Sequence, residues 1–189
     1  MVHKVSTKVP EKSARRVIIV LLPEVNLLDL AGPAQVFQVA QHYGASYNLL
    51  FCADSKNVLS SQGLPLGPLE PLPVPKKDDL IIIPGPRLRP QPKQAWVSET
   101  VVNWLRQGYL AGAHLASVCT GAIALGEAGL LAGRRCTTHW EMIEAMQARY
   151  PEALVQNAVL YTHDGTITTS AGIASGIDMA LSLLEQAYG

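Results

Sequence analysis

A cysteine at a predicted strand-to-helix turn is the residue of this sequence best suited to chemistry. Cys119 follows the apolar run Ala113–Val118 and precedes the small, helix-compatible residues of Gly121–Ala128. A side chain at such a turn stands at the carboxyl edge of a sheet, where open α/β folds bind ligands. Because the amides of a helix start favour negative charge, we expect a lowered pKa for the thiol and nucleophilic reactivity. The alternative is a small buried packing residue.

Two further residues follow predicted strands and would lie at the same edge. Asp29, after the first strand, could exchange a proton with the thiol, and it could also serve as the N-cap of the next helix. Gly85 follows the strand Asp79–Ile83. If this strand neighbours the one that ends at Cys119, the amides of Gly85 and Thr120 would form an anion pocket of the oxyanion-hole type.

A histidine lies twenty residues after the cysteine, in the run CTTHW. A Cys–His pair must be close in space, which spacing cannot show, and a histidine at a helix start is the alternative. The candidate catalytic residues are Cys119, Asp29 and His139, and the candidate ligand-binding residues are Gly85, Thr120, Gly121 and Trp140. The sequence contains no close His, Cys and carboxylate cluster and no phosphate-binding glycine loop, so we predict neither a metal nor a cofactor.

The elements that must position these residues alternate between strands and helices. The runs Arg16–Leu22, Asp79–Ile83 and Ala113–Val118 are predominantly apolar, which is typical of parallel strands buried on both faces. Asp164-Gly165 is a strong hairpin signal and adds an antiparallel pair. We therefore predict an α/β, three-layer sandwich with a mainly parallel central sheet and helices on both faces.

The remaining predicted elements follow from hydrophobic periodicity and from turn residues. Strands are predicted over Tyr47–Ala53, Ala158–His163 and Thr166–Thr169, with a hairpin or turn over Val58–Leu66. Helices are predicted over Leu27–Val39, Ala95–Gln107, Gly121–Ala128, Trp140–Arg149 and Ala174–Ala187. Residues 64–77 hold five prolines and are predicted to form a surface loop without regular structure, as are residues 87–94.

Composition and charge restrict the class of protein. The chain has 189 residues, 48% hydrophobic and 16% charged, which is a globular profile. It contains no apolar run long enough to span a membrane, no secretory signal, and three widely spaced cysteines, so a cytoplasmic location is expected. Residues 1–16 carry five cations and one anion. We predict a disordered basic arm over 1–15 and one domain over 16–189, whose negative net charge suits duplex binding poorly.

Four motifs, in this order, resemble the ThiJ/PfpI superfamily, which has the class I glutamine amidotransferase-like, flavodoxin-like fold. They are PEVNLLDLAGP, IIIPGP, SVCTGAIALGEAGLLAGRRCTTHW and TSAGIASGIDMALSLLE. The resemblance covers about residues 16–188. It is strongest to the amidase-like N-terminal domain of GlxA-type AraC-family transcriptional regulators, and isonitrile hydratases share many of the motifs.

The resemblance implies roles for particular residues. Cys119 matches the cysteine of the strand-to-helix elbow, and Asp29 matches the acid that hydrogen-bonds it. Gly85 and Thr120 match positions whose amides form an anion pocket, and His139 matches a histidine near the cysteine in several branches. Protease-like members have a histidine at the position of Thr120, so a Cys–His peptidase is disfavoured.

Three hypotheses result. The first is a ligand-sensing and dimerisation domain of an AraC-family regulator. It would bind a small molecule, form a homodimer, and contact DNA only through a helix-turn-helix region expected after residue 189. The second is a cysteine enzyme of the isonitrile hydratase type, in which Cys119 attacks an electrophilic carbon and Asp29 transfers the proton. The third is a redox sensor based on an exposed, low-pKa Cys119.

Overall fold

The computed structural model of the chain describes residues 14–87, 95–172 and 174–188. The strands within these residues are β1 Arg15–Val20, β2 Tyr47–Ala53, β3 Val58–Leu59, β4 Pro65–Leu66, β5 Glu70–Pro71, β6 Leu80–Ile83, β7 His114–Val118, β8 Arg135–Cys136, β9 Leu154–Val155, β10 Tyr161–Asp164 and β11 Ile167–Ser170. The α-helices are α1 Leu27–Ala40, α2 Glu99–Leu110, α3 Ala122–Glu127, α4 Ile143–Arg149 and α5 Ser175–Tyr188.

Seven of the strands form the central sheet, in the order β10-β11-β7-β6-β1-β2-β5. Neighbours are parallel except for β10 and β11, which form the antiparallel hairpin predicted from Asp164-Gly165. The predicted proximity of the strands before Gly85 and Cys119 is confirmed, since β6 and β7 pair with Ile83 opposite Ser117. The carboxyl ends of β1, β6 and β7 therefore meet at one edge.

Each face of the sheet is covered by helices, which confirms the predicted three-layer class. One face packs Ile18, Ile81 and Leu115 against residues of α2 and α3, such as Leu105 and Leu125. The other face packs Val17, Ile19 and Ile82 against α1 and α5. Burial on both faces explains why the apolar residues of these strands are consecutive rather than alternating with polar ones.

Helix α1 begins at Leu27 as predicted, but its N-cap and the starts of the other helices differ from the predictions. The residue before α1 is Asn26, so Asp29 is not the N-cap; it lies inside the first turn and is buried. The second predicted helix begins at Glu99 instead of Ala95, because the Ser98 side chain caps it by accepting from the Val101 amide at 3.3 Å. The predicted helices at Gly121 and Trp140 each begin with a 3₁₀ turn, and their α-helical parts are correspondingly shorter.

Short strands account for the other differences. The predicted hairpin is present as β3 and β4, but β4 and β5 lie in the stretch 64–77 that was predicted to lack regular structure. The two-residue strands β8 and β9 form a small parallel sheet that periodicity cannot reveal. Arg15 belongs to β1 and not to the predicted basic arm, whose residues 1–13 lie outside the described residues, as do residues 88–94 of the second proline-rich loop. No helix in the described part of the chain is both long enough and apolar enough to cross a membrane.

A hydrogen-bonded chain of polar side chains lies between the sheet and α5. The Thr168 hydroxyl is 2.7 Å from His114 Nε2 and 2.8 Å from His163 Nδ1, and His163 Nε2 continues to Ser182 Oγ at 3.1 Å. Burial, with smaller effects of Arg15 and His163, lowers the pKa of His114 to about 4. The sequence had suggested no role for either histidine.

The partly buried His114 is expected to make the fold acid-sensitive. Its folded pKa lies below the ordinary value of 6.5, so the unfolded chain binds the proton first and stability is lost as the pH falls from about 6.5 to 4. His114→Gln should reduce the loss of unfolding free energy between pH 7 and pH 4 by on the order of 3 kcal/mol, measured by urea unfolding. The exposed His42→Gln is the control, and equal acid sensitivity of His114→Gln and the wild-type protein would contradict this assignment.

Candidate functional site

Cys119 occupies a strained position between β7 and α3. It opens the 3₁₀ turn Cys119–Gly121 with a φ of +56°, a conformation that is unfavourable for residues other than glycine. The turn is pressed against the end of β6, where a Cβ atom added to Gly121 would lie 2.1 Å from the Ile83 carbonyl oxygen. Glycine is therefore required at this position by the close approach of two backbones.

Asp29, Gly85 and Thr120 meet beside this turn. A Cβ atom built on Gly85 would lie 2.6 Å from Asp29 Oδ2 and 2.9 Å from the Thr120 amide nitrogen. The Thr120 hydroxyl donates to the Pro86 carbonyl at 2.6 Å, which ties the turn to the loop after β6. The structure thus brings together four of the predicted residues, including Cys119, from three separate segments.

The Asp29 carboxyl is fully buried, and burial raises its pKa. The Asn26 side chain, the Cys119 thiol, the Gly85 amide and the charge of His139 act in the opposite direction and reduce this rise. Asn26 Nδ2 lies 3.5 Å from Oδ2, while Oδ1 has no hydrogen-bond partner among the described residues. Asp29 therefore keeps its proton to a higher pH than an exposed aspartate would.

The expected low pKa of Cys119 is wrong. The residue is 2% exposed, and this burial, followed by the negative charge of Asp29, raises the pKa of the thiol to about 12. The Thr120 amide and hydroxyl lower the pKa as the turn geometry predicts, but their effect is smaller. The thiol is therefore protonated at neutral pH, and the Cys119–Asp29 pair holds its negative charge mainly on the carboxylate.

The two amides of the predicted anion pocket already act on groups of the protein. The Gly85 amide favours the ionised form of Asp29, and the Thr120 amide favours the ionised form of Cys119. They stabilise whichever member of the pair carries the charge. A proton could therefore move between sulfur and carboxylate while each anion keeps a backbone donor.

Of the other two predicted residues, His139 and Trp140, the first acts on the site through its effect on Asp29. His139 precedes the 3₁₀ turn Trp140–Met142, and its Nδ1 accepts from the Glu141 amide at 3.4 Å, so the alternative of a capping histidine describes its contacts. The charge of His139 nevertheless lowers the pKa of Asp29. Trp140 is 72% exposed, with its ring centroid 5.6 Å from that of His139.

Sequence reasoning missed two residues of the site. Asn26 contacts Asp29 from the position before α1, and Thr138 is fully buried with its hydroxyl donating to the Cys119 carbonyl at 3.0 Å. The Thr-Thr pair before His139 was a visible signal, but it does not reveal a partner nineteen residues away. Asn26 lies only three residues before Asp29, and this local spacing at a helix start could have suggested their contact. Over residues 14–87, 95–172 and 174–188, no three His, Cys, Asp or Glu side chains are arranged to hold a metal ion.

Comparisons with known proteins identify the family of the chain. Residues 15–186 match the model of the DJ-1/PfpI family. The chain is 37% identical over 174 residues to the HTH-type transcriptional regulator CdhR of Pseudomonas aeruginosa, a match that covers 89% of this chain and 49% of CdhR. It is 33% identical over 177 residues to an isonitrile hydratase of Pseudomonas putida, with 89% of this chain and 70% of the hydratase covered.

Solved structures show the same fold. An AraC family transcriptional regulator structure from Pseudomonas putida superposes with a TM-score of 0.80 at 24% identity, and the match covers 93% of both chains. The chain spans about half the length of the regulator CdhR. With a family match that extends from β1 into α5 and with the strand-to-helix cysteine turn in place, the chain belongs to the DJ-1/PfpI family.

Proposed function

We propose that this chain is the ligand-sensing and dimerisation domain of an AraC-family transcriptional regulator. Its similarity over 174 residues to CdhR, of which it covers about half, is the observation that carries the proposal. DNA would be bound by a separate helix-turn-helix domain after residue 189, and a regulator of this kind would act in the cytoplasm. The predicted division into a basic arm and a single domain is part of the same proposal, with Arg15 placed in the domain because it belongs to β1.

The chemistry of the cysteine site favours binding over turnover. A thiol with a pKa of about 12 is almost entirely protonated at neutral pH, whereas the thiolate is the nucleophilic form. The buried Asp29 Oδ1 without a described partner could accept a hydrogen bond from a ligand. We propose that a small molecule with a carbonyl, carboxylate or amide group binds beside Cys119, with His139 and Trp140 at the rim.

The gene beyond the codon for Gly189 provides a direct test of the regulator proposal. We expect the reading frame to continue into two helix-turn-helix patterns, since the matched regulator is about twice as long as the aligned region. A full-length protein should bind duplex DNA with an affinity that falls with salt concentration, while residues 1–189 alone should not. DNA binding by the 189-residue chain with the same salt slope as the full protein would contradict the proposal.

A cysteine enzyme is the second candidate, supported by the similarity to an isonitrile hydratase and by the intact Cys119–Asp29 pair. In this mechanism Asp29 accepts the thiol proton as the sulfur attacks the electrophilic carbon, and it returns a proton later in the cycle. The Thr120 and Gly85 amides would stabilise the charges that form. Turnover of an isonitrile that is lost in Cys119→Ser would favour the enzyme over the sensor.

Asp29 should control the ionisation of Cys119 under either proposal. Its negative charge is the second-largest cause of the raised thiol pKa, so Asp29→Asn is expected to lower the pH at which Cys119 ionises. The measurement is the iodoacetamide alkylation rate of the Cys119 peptide as a function of pH, followed by mass spectrometry. Asn26→Ala, which keeps the carboxylate, is the comparison variant. A midpoint that is unchanged or higher in Asp29→Asn would refute this electrostatic account.

The dimerisation part of the proposal concerns an apolar groove of about 640 Å³ between α1 and α5. None of the described residues that line the groove is charged, and several large apolar side chains are exposed in it. Its principal side chains are Leu28, Val36, Val39, Tyr43, Ile177 and Leu181. A two-fold dimer buries the same patch on both subunits, so a groove without charge is compatible with itself. We propose that it receives the same groove of a second copy.

A charge in this groove should separate the subunits. Leu181 is 52% exposed, so Leu181→Glu leaves the core intact but places a carboxylate in the proposed interface. Sedimentation velocity should show a dimer for the wild-type protein and a monomer for Leu181→Glu. Leu110, 82% exposed at the end of α2 on the opposite face of the sheet, supplies the matched control Leu110→Glu, which should remain dimeric. A wild-type monomer, or dissociation by both variants, would exclude this interface.

A further inference from the structure

A buried threonine supports the carbonyl of the strained cysteine from the far side of the turn. Thr138 is 0% exposed, and its hydroxyl donates to the Cys119 carbonyl oxygen at 3.0 Å. We propose that Thr138 is a positioning residue that holds the Cys119–Thr120 peptide in the orientation on which the thiol's reactivity depends. This inference rests on the proposed function only in that it concerns the same cysteine site.

The geometry of one peptide plane carries the argument. The carbonyl of Cys119 and the amide of Thr120 belong to the same planar unit, so fixing one fixes the other. The carbonyl accepts from Thr138 and from the Ala122 amide, while the Thr120 amide stabilises the ionised Cys119 sulfur. Thr138 therefore determines the direction of the Thr120 amide, which lowers the pKa of the Cys119 thiol whereas burial raises it.

The strained backbone of Cys119 needs contacts that hold it in place, and the hydrogen bond from Thr138 is one of them. A positive φ at a residue with a side chain is unfavourable and persists only where neighbouring contacts hold it, as at Cys119. The 3₁₀ turn supplies one such contact through Ala122, and Thr138 supplies the second from a segment nineteen residues away. Without the second contact, the peptide could rotate toward a less strained conformation.

Thr138 is itself held by its neighbours in the segment. The Thr137 amide donates to the Thr169 hydroxyl oxygen at 2.7 Å, and the Thr137 hydroxyl donates to the Gln156 carbonyl at 2.9 Å. These bonds attach the segment to β11 and to the residues that follow β9. The hydroxyl of Thr138 therefore approaches Cys119 from a fixed backbone and does not depend on the cysteine turn for its own position.

The adjacent threonine provides a matched control. Thr137→Val and Thr138→Val each replace a buried hydroxyl by a methyl group of similar size, and each removes one bond to a distant carbonyl. Only the change at Thr138 affects the peptide next to the thiol. The measured quantity is the alkylation rate of the Cys119 peptide with iodoacetamide across a pH series, alongside the thermal unfolding midpoint of each variant.

We expect Thr138→Val to slow alkylation about tenfold at a given pH, the effect of weakening one backbone hydrogen bond to the thiolate. Thr137→Val should leave the rate unchanged despite a similar loss of stability, and Thr138→Ser should restore the rate to within about twofold. Equal rates in the two valine variants, or failure of the serine variant to restore the rate, would overturn the proposal.

Variants that fail to fold also test the proposal. If Thr138→Val does not fold, Thr138→Ala and Thr137→Ala replace the pair, because alanine removes the hydroxyl without adding a methyl group that could clash. A chain that folds with serine at position 138, but with neither valine nor alanine, would show that the hydroxyl serves the fold and would overturn the proposal. The assay uses no DNA, ligand or second subunit, so its failure leaves the regulator proposal standing, and the reverse also holds.

Discussion

The contact between a buried carboxyl and a buried thiol is the constraint on which the site depends. Both groups are removed from water, and this burial raises the pKa of each. The negative charge of Asp29 disfavours the thiolate, whereas the hydrogen bond from the thiol favours the carboxylate, so the pair accommodates one negative charge with the help of the Gly85 and Thr120 amides. This arrangement requires β6 and β7 to be neighbours and α1 to begin immediately beside their carboxyl ends. The order of the central sheet supplies both conditions.

The same pair is suited to two functions, and the difference lies in proton movement. In a sensor, the proton stays on sulfur and Asp29 offers its free oxygen to a ligand. In an enzyme, the proton must leave sulfur when the electrophile arrives, and a carboxyl with a raised pKa is a better acceptor than an ordinary one. The relatives of the chain include both a regulator and an isonitrile hydratase, and the two proposals differ in where the proton of the pair goes.

Much of the fold could be predicted from the sequence because its signals are local. Continuous apolar runs identified β1, β6 and β7, and Asp164-Gly165 identified the hairpin. The position of Cys119 at a turn was predicted because an apolar strand before it and small, helix-compatible residues after it are adjacent in the sequence. The pKa of Cys119 could not be predicted in this way, since it depends on burial by segments that are distant in sequence. The cap position was misplaced for a local reason, since α1 begins directly after Asn26 and Asp29 lies within its first turn.

Helix α1 has a further consequence, because it takes part in both the cysteine site and the apolar groove. Asp29 is buried beside Cys119, while Leu28 next to it and Val39 farther along are exposed in the groove. Gly32 brings α1 so close to α5 that an added Cβ would lie 2.9 Å from the Ile177 side chain. A ligand that displaces Asp29 would therefore also disturb the packing of α1 against α5. If two copies associate through these helices, ligand binding would change the affinity between the subunits. Thermodynamic linkage then requires that association change the affinity for the ligand by the same factor.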